Sequence, residues 1–144
     1  MMDRYSKQIV INYVDTDAGG VVYHANYLAF MESVRSDLLR QAGFPASVLR
    51  NKFNLVFVVT ESNLKFKKPA YLDDELDVSV AVTSLRGASI VCHQQVTRTN
   101  KEQSKELLVD ATIRIATIAN DTFLPYKIPS ELRQVFEQFH IHSA

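Results

Sequence analysis

Cysteine is almost absent: Cys92 is the only one in the chain. That excludes an internal disulfide and a cysteine-rich metal cluster, and makes a reducing, cytoplasmic setting the expectation. Glycine and proline are scarce, four of each in 144 residues. No repeat, low-complexity tract or linker interrupts the chain, so residues 1–144 are expected to form one domain with short turns. Neither charge predominates, with 16 Lys and Arg against 16 Asp and Glu. A dedicated nucleic-acid binder would carry a basic excess, so that class is excluded, and strong attraction to anionic membranes goes with it. Long apolar runs are missing too. The longest covers residues 55–59, too short to cross a bilayer, and no apolar run follows Met1 to suggest a signal peptide. What is present suffices for a core: 47% of residues are hydrophobic and 22% charged, which excludes global disorder.

Residues 5–13 alternate, with Tyr5, Ile9, Ile11 and Tyr13 on one face, and predict a strand. The alternation breaks over 14–25, around Gly19 and Gly20. Tyr27, Phe30, Met31, Val34 and Leu38 then recur at three- and four-residue steps and predict a helix over 26–42. Gly43 ends it, and a short helix over 45–50 follows. Four strands are predicted next, over 55–67, 75–83, 89–99 and 107–115, the first stopped by Pro69 and the second followed by a turn at Gly87. In the last of them Leu107, Val109, Ala111, Ile113 and Ile115 are expected to share one face. Ser130 is expected to cap a final helix with the apolar stripe Leu132, Val135, Phe136 and Phe139. Consecutive strands with tight connections imply an antiparallel sheet. One long apolar helix against it gives an α+β domain whose sheet curls around the helix.

The stretch that carries chemistry is Asp15-Thr16-Asp17-Ala18-Gly19-Gly20-Val21-Val22-Tyr23-His24-Ala25-Asn26-Tyr27, between a strand and a helix start. Paired glycines permit backbone turns and close approaches that other residues forbid. A helix N-terminus offers unpaired N–H groups and a positive dipole end, suited to polarising a carbonyl oxygen. A carboxylate and an imidazole beside such an oxygen point to acyl transfer or hydrolysis.

The spacing Asp-x-Asp-x-x-Gly-x-Val-x-x-x-x-Tyr closely resembles the hotdog-fold acyl-CoA thioesterases, the 4-hydroxybenzoyl-CoA thioesterase-like family. With Asp17, Gly20, Val22, His24 and Tyr27, the version here is most similar to the Tol-Pal-associated branch. Residues 68–74 and 84–89 match the same pattern more weakly, and the likeness runs from about residue 5 to 128. It implies a hotdog fold, a curled antiparallel sheet wrapped around one long central helix. It also implies homodimers paired edge to edge, often associated into homotetramers, with active sites at the dimer interface. The implied substrate is a fatty or aromatic acyl-CoA, with no metal and no cofactor.

By the same resemblance, Asp17 is the catalytic carboxylate, either a nucleophile forming a mixed anhydride or a general base on water. Asp15 is expected to be structural. His24 is expected to orient water, bond the substrate or assist the leaving thiol, although the hydroxybenzoyl branch carries a Tyr there. The backbone N–H groups around Tyr23 and His24 are the expected oxyanion donors. Gly20, Val22 and Tyr27 complete the motif, and a Tyr on an apolar helical face also reads as packing. Val59, with Phe57 and Val58, is a candidate for the acyl pocket. Arg86 matches a basic position that meets CoA phosphates, and Ser89 adds a hydroxyl. Glu32 stands where the aromatic branch carries Asp, which admits a substrate contact; an ion pair with Arg35 is the preferred reading. Lys65, Lys67 and Lys68 are read as a solvated strand edge or as a site for CoA or an acyl-carrier protein. His93, His140 and His142 receive no role, the last two lying in a tail expected to fray. A second reading is a binding protein for an acyl-carrier protein or an envelope-associated partner, with weak residual hydrolysis.

Overall fold

The computed structural model describes residues 4–141; His142 lies outside them. In chain order the elements are β1 (Tyr5–Val10), α1 (Asn26–Gln41), α2 (Ala46–Phe53), β2 (Leu55–Phe66), β3 (Glu75–Leu85), β4 (Ser89–Thr99), β5 (Lys105–Ala119) and α3 (Ser130–Gln138). The strands make one antiparallel sheet in the order β1-β3-β4-β5-β2. Alternation explains how it packs. Leu76, Val78, Val80 and Val82 of β3 and Ile90, Cys92, Gln94 and Val96 of β4 are all buried, and α1 adds Tyr27, Phe30, Met31, Val34 and Leu38. This is the α+β, helix-on-curled-sheet architecture that the periodicity implies. Burial pushes the Cys92 thiol up to about 11, only partly offset by Arg35, so it is no nucleophile near neutrality. No helix among the described residues is long and apolar enough to cross a membrane.

Element ends differ from the sequence reading where local hydrogen bonds intervene. β1 stops at Val10 rather than at residue 13, because a single 3-10 turn forms over Tyr13–Asp15. Tyr13 is therefore 81% exposed instead of sharing the Ile9 and Ile11 face. α1 ends as expected: Phe44 N–H reaches Leu39 C=O at 2.7 Å and Gly43 N–H reaches Arg40 C=O at 3.1 Å, with Gly43 at φ 91°. α2 runs three residues past 50, to a left-handed Asn54. β5 is longer than 107–115, and a bulge opposite the Val96/Thr97 step breaks its alternation. Leu108 and Val109 are consequently both buried. Ser130 is the first residue of α3 and makes no capping bond; Pro129 precedes it in an extended conformation.

The described part of the tail beyond α3, residues 139–141, is held to the sheet. Val82 N–H donates to Phe139 C=O and Ile141 N–H to Val82 C=O, each at 2.8 Å. His140 is thus held beside the part of β3 that β1 leaves uncovered. β2, with twelve residues, remains the long free edge of the sheet.

One ion cluster bears on the site. Arg98 donates to Asp74 at 2.7 Å, to Glu106 at 2.9 Å and to the Pro69 carbonyl at 3.1 Å. It thereby ties the 69–74 loop to β4 and β5. Its hydrogen bond holds the Glu106 carboxyl below the ordinary 4.5, assisted by Lys68. A carboxylate depressed in the folded state stabilises above its unfolded pKa, and the contribution is lost as pH falls through the lower folded value. The gap in melting temperature between the wild type and Arg98→Met should therefore be widest above pH 4.5 and narrow below it. A gap independent of pH in thermal melts would contradict this role for the pair.

Candidate active site

The loop between β1 and α1 is built by its own side chains. Asn12 N–H donates to Asp15 Oδ2 at 2.9 Å, and Asp15 N–H returns to Asn12 C=O at 3.0 Å. The Asp15 carbonyl then accepts Tyr23 N–H at 3.1 Å and Asn26 Nδ2 at 2.7 Å. Asp15 thus ties the entrance of the loop to the first residue of α1. Asp17 heads a tight turn: its N–H reaches Val21 C=O at 2.9 Å, and its carbonyl accepts Gly20 N–H at 3.1 Å. Gly20 adopts φ 81°, a left-handed conformation that a side chain at this position would strain. Asp17 Oδ1 accepts Gly19 N–H at 2.8 Å, which leaves Oδ2 without a partner among the described residues. The side chain is exposed.

The 69–74 loop backs this turn. Val22 N–H donates to Ala70 C=O at 2.9 Å, and Val21 bridges Tyr71. Val22 and Ala70 are both buried. The Arg98 cluster therefore supports the motif from behind.

At the start of α1 one expected donor is already used, since Tyr23 N–H is committed to Asp15. The N–H groups of His24 and Ala25 meet no acceptor among the described residues. These two, at the positive end of the helix, are the donors open to a carbonyl oxygen.

The His24 imidazole is exposed. Its ring centroid lies 4.6 Å from that of Tyr23 and 6.3 Å, edge-on, from that of Phe66. Phe66 also packs at 5.8 Å from Tyr27. The rings of His24, Tyr27 and Phe66, with Val22, Lys67, Lys68 and Pro69, line a cavity of about 290 Å³. Tyr27 is 3% exposed; burial pushes its hydroxyl pKa up, against a hydrogen bond with the Ala70 backbone. Its ring forms the wall of the cavity. Sequence reasoning does not single out Phe66. The available signal is an aromatic between Lys65 and Lys67 on an exposed strand.

The remaining candidates lie elsewhere. Val59 is 46% exposed and, with Phe57, lines a second cavity of about 340 Å³ between α1, α2 and β2. Arg86 and Ser89 form the β3–β4 turn, Arg86 N–H donating to Ser89 C=O at 2.9 Å. Ser89 lies opposite Ala116 and Phe66 opposite Val109. Along β5 that separation is about 23 Å, so Arg86 and Ser89 do not join the His24 cavity within one chain. Nor does Glu32 pair with Arg35. Its carboxylate accepts the Ser36 hydroxyl at 2.8 Å, whereas Arg35 donates to Gln94 at 2.8 Å. His93 is engaged by Arg4 and Asp110.

A family model described as the thioesterase superfamily matches residues 19–105. The chain is 36% identical over 137 residues to an acyl-CoA thioesterase, YbgC, of Haemophilus influenzae, covering 94% of this chain and 97% of the relative. A crystal structure of a probable thioesterase from Bartonella henselae superposes with a TM-score of 0.79 at 32% identity, over 88% of this chain and 99% of that one. The 4-hydroxybenzoyl-CoA thioesterase of a Pseudomonas strain shares the fold, with a TM-score of 0.83 at 20% identity over 92% of this chain and 98% of that one.

Proposed function

The chain belongs to the thioesterase superfamily, and from that premise we propose that it hydrolyses acyl-CoA thioesters at the turn between Asp17 and the start of α1. The observation that carries this reading is one loop presenting a carboxylate oxygen without a partner, at Asp17 Oδ2, and two open N–H groups, at His24 and Ala25. The thioester carbonyl oxygen is placed at the two N–H groups, which stabilise the charge that develops on it. Asp17 then acts in one of two balanced ways. As base it takes a proton from water while the new C–O bond forms and the C–S bond breaks. As nucleophile it forms an acyl anhydride with loss of the thiolate, and water cleaves that anhydride. The thiolate needs little help in leaving, since a thiol has a pKa near ~8.5. His24→Ala should accordingly cost less than loss of Asp17, a drop in kcat below the ~100-fold lower end of general acid–base catalysis. Thiol release from a short acyl-CoA measures this, and a loss equal to that of Asp17→Asn would move His24 to the centre of the mechanism.

The site is completed in our reading by a second copy of the chain. Three observations support it: the free twelve-residue edge of β2, the exposed Val58, Val59 and Phe66 along it, and the separation of Arg86 and Ser89 from His24 within one chain. Edge pairing would cover the exposed Asp17 side and bring in the phosphate-binding arginine of the partner. Lys67 and Lys68 line the His24 cavity, which favours a phosphorylated thioester there and also keeps acyl-carrier protein as a partner of the same site. Retention of carrier protein that survives Asp17→Asn and weakens with salt would support carrier binding; no retention would leave CoA esters alone.

A further inference from the structure

The second cavity, about 340 Å³, is of the size that ligand pockets take and has a mixed lining. Leu38, Phe57, Val80 and Ile115 make it apolar, yet Arg35, Arg40 and Arg50 also line it, against the single carboxylate of Glu32. Arg40 and Arg50 are exposed, and Arg40 pairs with Asp37 at 3.5 Å. Arg35 is different. Its guanidinium donates to Gln94 Oε1 at 2.8 Å. Gln94 is fully buried and is itself anchored to the carbonyls of Met31 at 3.1 Å and Ser79 at 3.3 Å. The cation is therefore fixed beside α1. Burial pushes its pKa down. Among the described residues no carboxylate lies within ion-pair distance of it, because Glu32 is turned to Ser36. A guanidinium carries five donors in a rigid fork; its nearest counter-charge is the longer-range field of Glu32 on the same cavity, so an anion in direct contact would stabilise it. Arginine is the side chain whose fork matches a carboxylate with two parallel hydrogen bonds.

Resting on the thioesterase reading, we infer that this cavity receives an acyl chain ending in a carboxylate, held by Arg35, so that ω-carboxyacyl-CoA thioesters are the preferred substrates. The helix sets the chain length. α1 rises about 1.5 Å per residue, and Gln94 ties the guanidinium between the levels of Met31 and Arg35. That is about 8–13 Å along the axis from Asn26. An extended chain advances about 1.2 Å per bond, so about seven to eleven bonds separate the thioester carbon from the terminal carboxylate. Suberyl-CoA falls in that range. The apolar walls accept its methylenes, and three arginines against one carboxylate bias the lining toward an anion.

Thiol release is measured with the intact protein on suberyl-CoA, its ω-methyl ester and octanoyl-CoA. The expected result is a kcat/KM for suberyl-CoA at least about tenfold above both neutral esters, as for a charge-assisted bidentate pair. Arg35→Gln can still bond Gln94 without the charge, and should bring the suberyl-to-octanoyl ratio to about one. The wild-type ratios stand by themselves if that variant does not fold. Octanoyl-CoA cleaved as well as suberyl-CoA overturns the inference and leaves the thioesterase reading intact. No thiol release from any of the three esters removes the reading and the inference together.

Discussion

Asp17→Asn lowers turnover of acyl-CoA by at least ~100-fold, the lower end of what a positioned general base supplies, while the protein folds normally. At 25 °C that factor is about 2.7 kcal/mol of lost transition-state stabilisation. The substitution separates chemistry from structure because Asn keeps an oxygen for the Gly19 N–H, which Asp17 Oδ1 accepts at 2.8 Å. The tight turn through Gly20, the Asp17 N–H bond to Val21 C=O and the bridge between Thr16 and Val22 are backbone interactions that it leaves in place. What disappears is the charge and the basic or nucleophilic oxygen. Asp15→Asn is the matched control, two residues away, with a carboxylate oxygen bonded to the Asn12 N–H at 2.9 Å. It should change turnover by no more than a few-fold, since hydrogen bonding inside the loop survives the exchange. Thiol release followed for both variants, with thermal melts to confirm folding, decides the matter. Full turnover by a folded Asp17→Asn, or a collapse confined to Asp15→Asn, would move the chemistry off Asp17.

The sequence makes the outline of this molecule readable because alternation and helical spacing are local. The 2-residue period of β3 and β4 and the spacing of Tyr27, Phe30, Met31, Val34 and Leu38 locate the sheet and the helix that packs on it. Strand ends were harder. The turn at Asn12 and Asp15 and the bulge at Leu108 depend on single hydrogen bonds that propensity does not carry. The motif names Asp17 and His24 as neighbours in the chain, and the backbone brings them into one loop. It does not reveal that Tyr23 N–H is already used, because that depends on where Asp15 C=O points. Arg35 shows the limit most clearly. Three residues from Glu32, it reads as half of a helical ion pair, yet it reaches across the core to Gln94, 59 positions away. Only the packed structure shows this cation lining a cavity whose walls are largely apolar.

That same contact sets the largest stability effect. Gln94→Leu should destabilise the fold by about 3 kcal/mol, the sum expected for losing a hydrogen bond to a charged group and leaving buried partners unsatisfied. Gln94 is 0% exposed. Its oxygen is the described acceptor for the Arg35 guanidinium, and its nitrogen reaches Met31 C=O and Ser79 C=O. Leucine fills nearly the same volume, so the loss isolates polarity from packing. It strands a partly buried cation beside an apolar surface. In a chain of this length that loss lowers the melting temperature by about 10 °C. Gln94→Glu tests the origin of the effect. It supplies a carboxylate to Arg35 but removes the amide donor, so the guanidinium regains a partner while Met31 C=O in α1 and Ser79 C=O in β3 lose the additional side-chain bond. It should recover part of the loss seen with leucine, and less of it as the pH falls below the carboxylate range and the new charge is neutralised. Denaturant unfolding across that pH range provides the measurement. If the leucine variant matches the wild type within about 0.5 kcal/mol, the size of an ordinary surface substitution, Gln94 does not hold the cation and the core tolerates it alone.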